Sequence, residues 1–202
     1  NLGQPDLLLS IVIASYMKFD HLDFVKTLDA LEKVLFRVYR IANKPSNHHR
    51  NQLSNLAHEI YTNSKDCSET IQWLQEFAIN EGTLADIETA LLGLANTYSW
   101  RGIKYFLHEY ERHLSGAFPV IPWDSFPNST ERSIEHILPQ NPPDEGYWTE
   151  NFDELERVKL VNKLGNLCLT ENNSHYGNHP YPRKRAGVSD DDDRCYLRAT
   201  TR

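Results

Sequence analysis

The stretch SIEHILPQN, residues 133–141, sets a carboxylate and an imidazole side by side, Glu135 and His136, in a short apolar run that Pro139 ends. Among the asparagines downstream are Asn166, Asn173 and Asn178. This set of side chains suits hydrolysis of a phosphodiester. That reaction asks for a base to take a proton from water, a divalent cation on the scissile phosphate and leaving oxygen, and a device that aims the base. Histidine suits the first task, because an ordinary pKa of about 6.5 leaves much of it neutral at working pH. Carboxylate and amide oxygens suit a hard cation such as Mg²⁺. Each residue also has a plainer reading: a strand histidine, an edge charge that discourages strand pairing, a turn asparagine after Gly165, and helix caps at Asn173 and Asn178. In an extended strand, neighbours point to opposite faces. Glu135 and His136 can therefore take separate roles only where the strand end bends or lies in an open site.

The order of these residues adds to their types. SIEHILPQN, followed by LGNLCLTENNSHYGNHPYPRKR over 164–185, resembles the HNH-type nuclease domain at the C-terminal end of GmrSD-like restriction and anti-phage defence proteins. The typical form of that domain reads xIEHILPQ, then LGNLxLTxxNSxxxNxPFxxK. The resemblance is specific over about 131–185, and EHxxP alone would carry little. It implies a ββα-metal fold, in which a hairpin carries the base on its first strand and a helix closes over one cation. It further implies a metal-dependent DNA endonuclease or nickase. In those terms His136 corresponds to the general base, Glu135 to the acidic metal ligand, and Asn166 to the asparagine that fixes the loop bearing the base. Asn173 or Asn178 supplies the last ligand, with spacing favouring Asn173. Arg183, Lys184 and Arg185 fall where phosphate contacts are expected. The implied cofactor is one divalent cation, Mg²⁺ first, with Mn²⁺ or another ion as alternatives. The implied partners are DNA and a ParB-like nucleotidase domain N-terminal in the same polypeptide.

Two departures stand out. Tyr181 replaces the usual Phe and Pro182 follows it, so the helix is expected to fray or break there. The run Asp190 to Asp193 reads as a solvated loop. His175 and His179 fall at variable positions of the pattern and read as surface. The competing function is a non-catalytic module of a defence protein that binds DNA or a partner without cutting.

Before this region the chain reads as helical. Leu22, Val25, Leu28, Ala30, Leu31, Val34, Leu35 and Val38 recur at helical spacing behind Asp20, a fitting N-cap. Further helices are expected near 50–63, 69–80, 84–96 and 100–114, with breaks at NKPSN, NSKDC, Gly82 and NTYS. LLLSIVIASYM reads as a core helix. GAFPVIPWDSFPNS, residues 116–129, cannot continue a helix. After it come strand-like runs at RSIEHIL and GNLCLT, with a short helical pattern near 151–162. The expected fold class is α+β, mainly α: a helical region over 1–115, then a ββα-metal domain over 116–202.

At 202 residues the chain can bury a sizeable core. Its 40% hydrophobic and 24% charged content is ordinary globular usage. The formal charge of −7 weighs against a module that clamps nucleic acid by bulk electrostatics. A tethered or cation-using enzyme need not be basic. Cys67, Cys168 and Cys195 are too far apart for a CxxC zinc site and odd in number, which favours a reducing, cytoplasmic setting. No apolar run reaches bilayer length, so no membrane partner is expected. The start NLGQPD carries no signal-peptide features and reads as a piece of a longer protein. Phosphate-binding Gly loops, GxSxG and HExxH are all missing.

Overall fold

The computed structural model describes residues 5–45, 47, 49–115, 133–170 and 176–186. Over these residues the fold is α+β and mainly helical, with one antiparallel pair of strands. Asn173, His175, Cys195 and Asp190 to Asp193 lie outside the described residues. Two compact units divide between Gly93 and Leu94.

The first unit contains α1 (Pro5–Lys18), α2 (His21–Val34) with a π-helical continuation (Leu35–Ile41), α3 (Arg50–Tyr61), α4 (Cys67–Glu81) and α5 (Leu84–Gly93). Asp20 caps α2 by accepting from the Asp23 amide at 2.8 Å, which satisfies one of the orphan N–H groups of the first turn. The breaks at NKPSN and NSKDC fall on Asn43 and Asn63, both in the left-handed region with φ 52° and 56°, where asparagine is tolerated better than most residues. Arg37 closes the end of α4, its Nε donating to the carbonyls of Ala78 at 3.1 Å and Gly82 at 2.8 Å. Packing of α1 on α3 and α2 on α4 buries Ile11, Val34, Val38, Leu53, Leu56, Ile60 and Leu74. The wide stripe read along α2 splits in two. Ala30, Leu31, Val34 and Val38 are core, while Leu22, Val25 and Leu28 are exposed.

The second unit opens with a short connector and α6 (Ile103–Ser115), then β1 (Ser133–His136), α7 (Tyr147–Asn151), α8 (Glu154–Leu160), a 3₁₀ turn (Leu164–Asn166), β2 (Leu167–Thr170) and α9 (Tyr181–Ala186). β1 and β2 pair antiparallel with Ile134 opposite Leu169 and His136 opposite Leu167. Ile134, Leu167 and Leu169 form one core with Ile103 and Leu107 of α6, against which Trp100, Phe106 and Leu164 pack. The indole of Trp100 leaves no room at Gly102, where a Cβ would collide with its ring.

The division expected from the proline-rich stretch at 115/116 and the one between the compact units at 93/94 therefore enclose α6, whose apolar face belongs with the hairpin. Pro182 does not break a helix, as its position suggested; it lies in the first turn of α9. The carbonyl of Pro180 already accepts from the Arg183 and Lys184 amides, each at 3.0 Å, and a proline in the first turn forfeits no intrahelical bond. Among the described residues no helix is long and apolar enough to cross a membrane.

Candidate functional site

β1 carries both residues of the EH pair, and its pleat sends them to different partners. His136 leaves on the side of Ile134 and the α6 core. It is 8% exposed, and its Nε2 lies 3.1 Å from Oδ1 of Asn162. The ring of Tyr98 sits against it, with centroids 4.5 Å apart and planes inclined by 53°. Burial pushes the His136 pKa below its ordinary 6.5; the hydrogen bond to Asn162 works against that shift and the charge of Lys184 adds to it. Loss of solvation disfavours the imidazolium and favours the neutral ring.

Glu135 takes the other face. Its Oε1 accepts from Nζ of Lys184 at 2.6 Å, and both side chains are buried. The same ammonium donates to the carbonyls of His136 at 3.0 Å and Ile137 at 3.1 Å, so all three of its hydrogens have acceptors within residues 135–137. It also lies 5.6 Å from the centroid of the Trp148 ring. The expectation that Lys184 meets DNA phosphates is therefore corrected. Its ammonium is fully enclosed and committed to the end of β1, while its neighbours Arg183 and Arg185 are exposed. Burial pushes the Glu135 carboxyl above its ordinary 4.5, and the hydrogen bond and charge of Lys184 pull the other way.

Asn166 staples the chain beyond His136. Its Oδ1 accepts from the Leu138 amide at 2.7 Å, and its Nδ2 donates to the carbonyls of Leu138 at 3.0 Å and Val161 at 2.8 Å. Its own carbonyl accepts from the Ile137 amide at 2.9 Å. An amide side chain can accept and donate at once, which a carboxylate in its place could not do. Asn178 is exposed, and its Nδ2 donates to the Asn141 carbonyl at 2.9 Å. Trp148 fastens the same segment, its indole N–H reaching the carbonyls of Asn178 at 3.1 Å and His179 at 3.2 Å.

The structure thus gathers Glu135, His136, Asn166 and Lys184 around the end of the hairpin, and adds two residues that sequence reasoning missed. Tyr98 comes from NTYS, which reads only as a helix break. Asn162 precedes LGNL by two positions and belongs to no motif. Their sole sequence signal is a polar side chain in a turn, which many surface positions share.

For a cation, the donors present fit in kind. The ionised Glu135 carboxylate and asparagine amide oxygens are hard ligands of the type Mg²⁺ takes. Among the described residues no three His, Cys, Asp or Glu side chains gather in a group that could hold a metal, so amide oxygens would have to complete the set.

Compared with known families, residues 83–201 match the family model described as GmrSD restriction endonucleases, C-terminal domain, which spans more than half of the chain. No curated protein and no solved structure matches.

Proposed function

From the premise that this chain belongs to the GmrSD restriction endonuclease C-terminal domain family, we propose that its second unit is an HNH-type, metal-dependent DNA endonuclease or nickase with His136 as the general base. The observation that carries the proposal is the setting of His136: a buried histidine at the end of β1, hydrogen-bonded at one nitrogen to Asn162, in surroundings that disfavour its charged form. A neutral imidazole is the form that can accept a proton.

The chain's own residues divide the work. His136 takes the proton of an attacking water. Lys184 fixes the backbone at the base and just beyond it through the His136 and Ile137 carbonyls. Asn166 holds the loop that leaves β1. Arg183 and Arg185, exposed on α9, reach for phosphate oxygens of the duplex. Glu135 and Asn173 would hold a divalent cation, with Asn178 as the alternative amide. When bound, that cation supplies charge stabilisation at the phosphate and the leaving oxygen. A ParB-like nucleotidase domain in the same polypeptide is the proposed partner that gates cutting.

The test is conversion of supercoiled plasmid to nicked or linear forms, with Mg²⁺ or Mn²⁺ present and with excess EDTA. The expected result is relaxation by the wild-type chain that EDTA abolishes and that His136→Ala lacks. Undiminished cutting by His136→Ala refutes the base assignment. DNA binding without any chelator-sensitive cutting favours a non-catalytic module instead.

A further inference from the structure

The reading of His136 as a base leaves open which ring nitrogen receives the proton. A neutral imidazole has one N–H and one lone-pair nitrogen, and the partner of the first decides the identity of the second. Here Nε2 faces Oδ1 of Asn162 at 3.1 Å. A side-chain amide oxygen accepts and does not donate, so this contact is a hydrogen bond only when Nε2 carries the hydrogen.

We infer that Asn162 is a positioning residue of the nuclease site: its side-chain oxygen holds His136 in the Nε2–H tautomer and presents Nδ1 as the atom that takes the proton from water. This inference rests on the base assignment made above and deepens it. The proton balance is simple. The O–H bond of water breaks as its proton moves to Nδ1, the oxygen forms its bond to phosphorus, and the P–O bond to the leaving oxygen breaks. The imidazolium, now carrying hydrogen on both nitrogens, returns one to solvent.

Asn162 is well placed for such a task because its own backbone is pinned. Its carbonyl accepts from the Thr97 amide at 2.9 Å. The next residue, Lys163, donates from Nζ to the Leu94 carbonyl at 3.1 Å, so two bonds tie the turn at 162–163 to the segment 94–97. That segment leads directly into Tyr98, whose ring packs against His136. One connector therefore fixes both the hydrogen-bond acceptor and the aromatic wall of the imidazole. A side chain that merely closed a turn would have no reason to meet the ring of the base residue, 26 positions away in sequence.

The test uses the full chain labelled with ¹⁵N in its nine histidines. His136 is assigned by the resonances lost in His136→Gln, and tautomers are read from long-range ¹H–¹⁵N correlations at a pH where the rings are neutral. The wild-type chain is expected to show His136 as the Nε2–H form. Asn162→Leu, close in shape but without an acceptor, should shift the ring to a mixture of tautomers. It should also lower kcat for plasmid nicking by about 10–100-fold, the usual effect of removing a partner that orients a site residue, while KM for DNA stays unchanged. Asn162→Asp, which keeps an acceptor at the same place, should restore both the tautomer and most of the rate. An unchanged tautomer in Asn162→Leu, a loss confined to KM, or failure of Asn162→Asp to restore the rate overturns the inference while leaving the base assignment intact. Cutting by His136→Ala overturns the base assignment, and the catalytic meaning of the tautomer with it.

Discussion

A histidine works as a base only over the pH range in which it is neutral, and the surroundings of His136 widen that range. Burial lowers its pKa from the ordinary 6.5, and this effect outweighs the opposing hydrogen bond to Asn162. The consequence for activity is an acid limb displaced downwards. Plotted against pH, the nicking rate is expected to reach half its plateau below 6.5, and a midpoint at or above that value would contradict the burial argument. The consequence for stability has the matching sign. The folded value lies below the unfolded one, so the contribution of His136 is fully present above pH 6.5 and is lost as pH falls through the depressed value. Glu135 and His136 were legible in the sequence because they are adjacent and framed by isoleucines and a proline. Asn162 and Tyr98 were not, because a hydrogen bond between positions 136 and 162 and a ring contact between 98 and 136 exist only after the hairpin has closed.

At the scale of elements, α9 and β1 are joined through one buried ion pair. Lys184 and Glu135 are both essentially removed from water, with side-chain exposures of 0% and 5%. Such a pair is costly to break from one side, because the surviving charge stays buried without its counterpart. Lys184→Met is therefore expected to destabilise the chain by roughly 3–5 kcal/mol, whereas Lys184→Met combined with Glu135→Leu should recover most of that loss, since apolar replacement of both partners removes the stranded charge. Urea unfolding of the two single variants and the double variant measures this. A single-variant cost below about 1 kcal/mol would place the pair among weak surface contacts. The helix that delivers Lys184 was harder to read than the strand it meets. A Tyr-Pro pair looks like a terminator, and only the carbonyl of Pro180, which accepts from the Arg183 and Lys184 amides, shows that the proline starts a helix. For the same reason Lys184, flanked by Arg183 and Arg185, reads as one of three surface cations, although a short helix turns the middle one inwards.

At the scale of the whole molecule, the proline-rich stretch over 116–129 marks a change of texture in the sequence, while the second compact unit begins at Leu94. Helical periodicity is pronounced in α6, and amphipathic spacing reports that a helix has a buried face without reporting what covers it. The covering is the hairpin: Ile103 and Leu107 pack with Ile134, Leu167 and Leu169, and the connector ahead of α6 supplies Tyr98 and the Thr97 bond to Asn162. A chain beginning at residue 116 would lose both core contacts from α6, each contributing about 1.5–3 kcal/mol through burial, together with the wall of the His136 site. A two-stranded hairpin with so little packed against it is not expected to hold its structure in water. A fragment of residues 94–202 should therefore give dispersed amide resonances and a cooperative urea transition, and a fragment of residues 116–202 should give neither. Equal dispersion and equal midpoints for the two fragments would mean that α6 is an accessory to the nuclease unit, and that the hairpin owes its stability to segments beyond 116 alone.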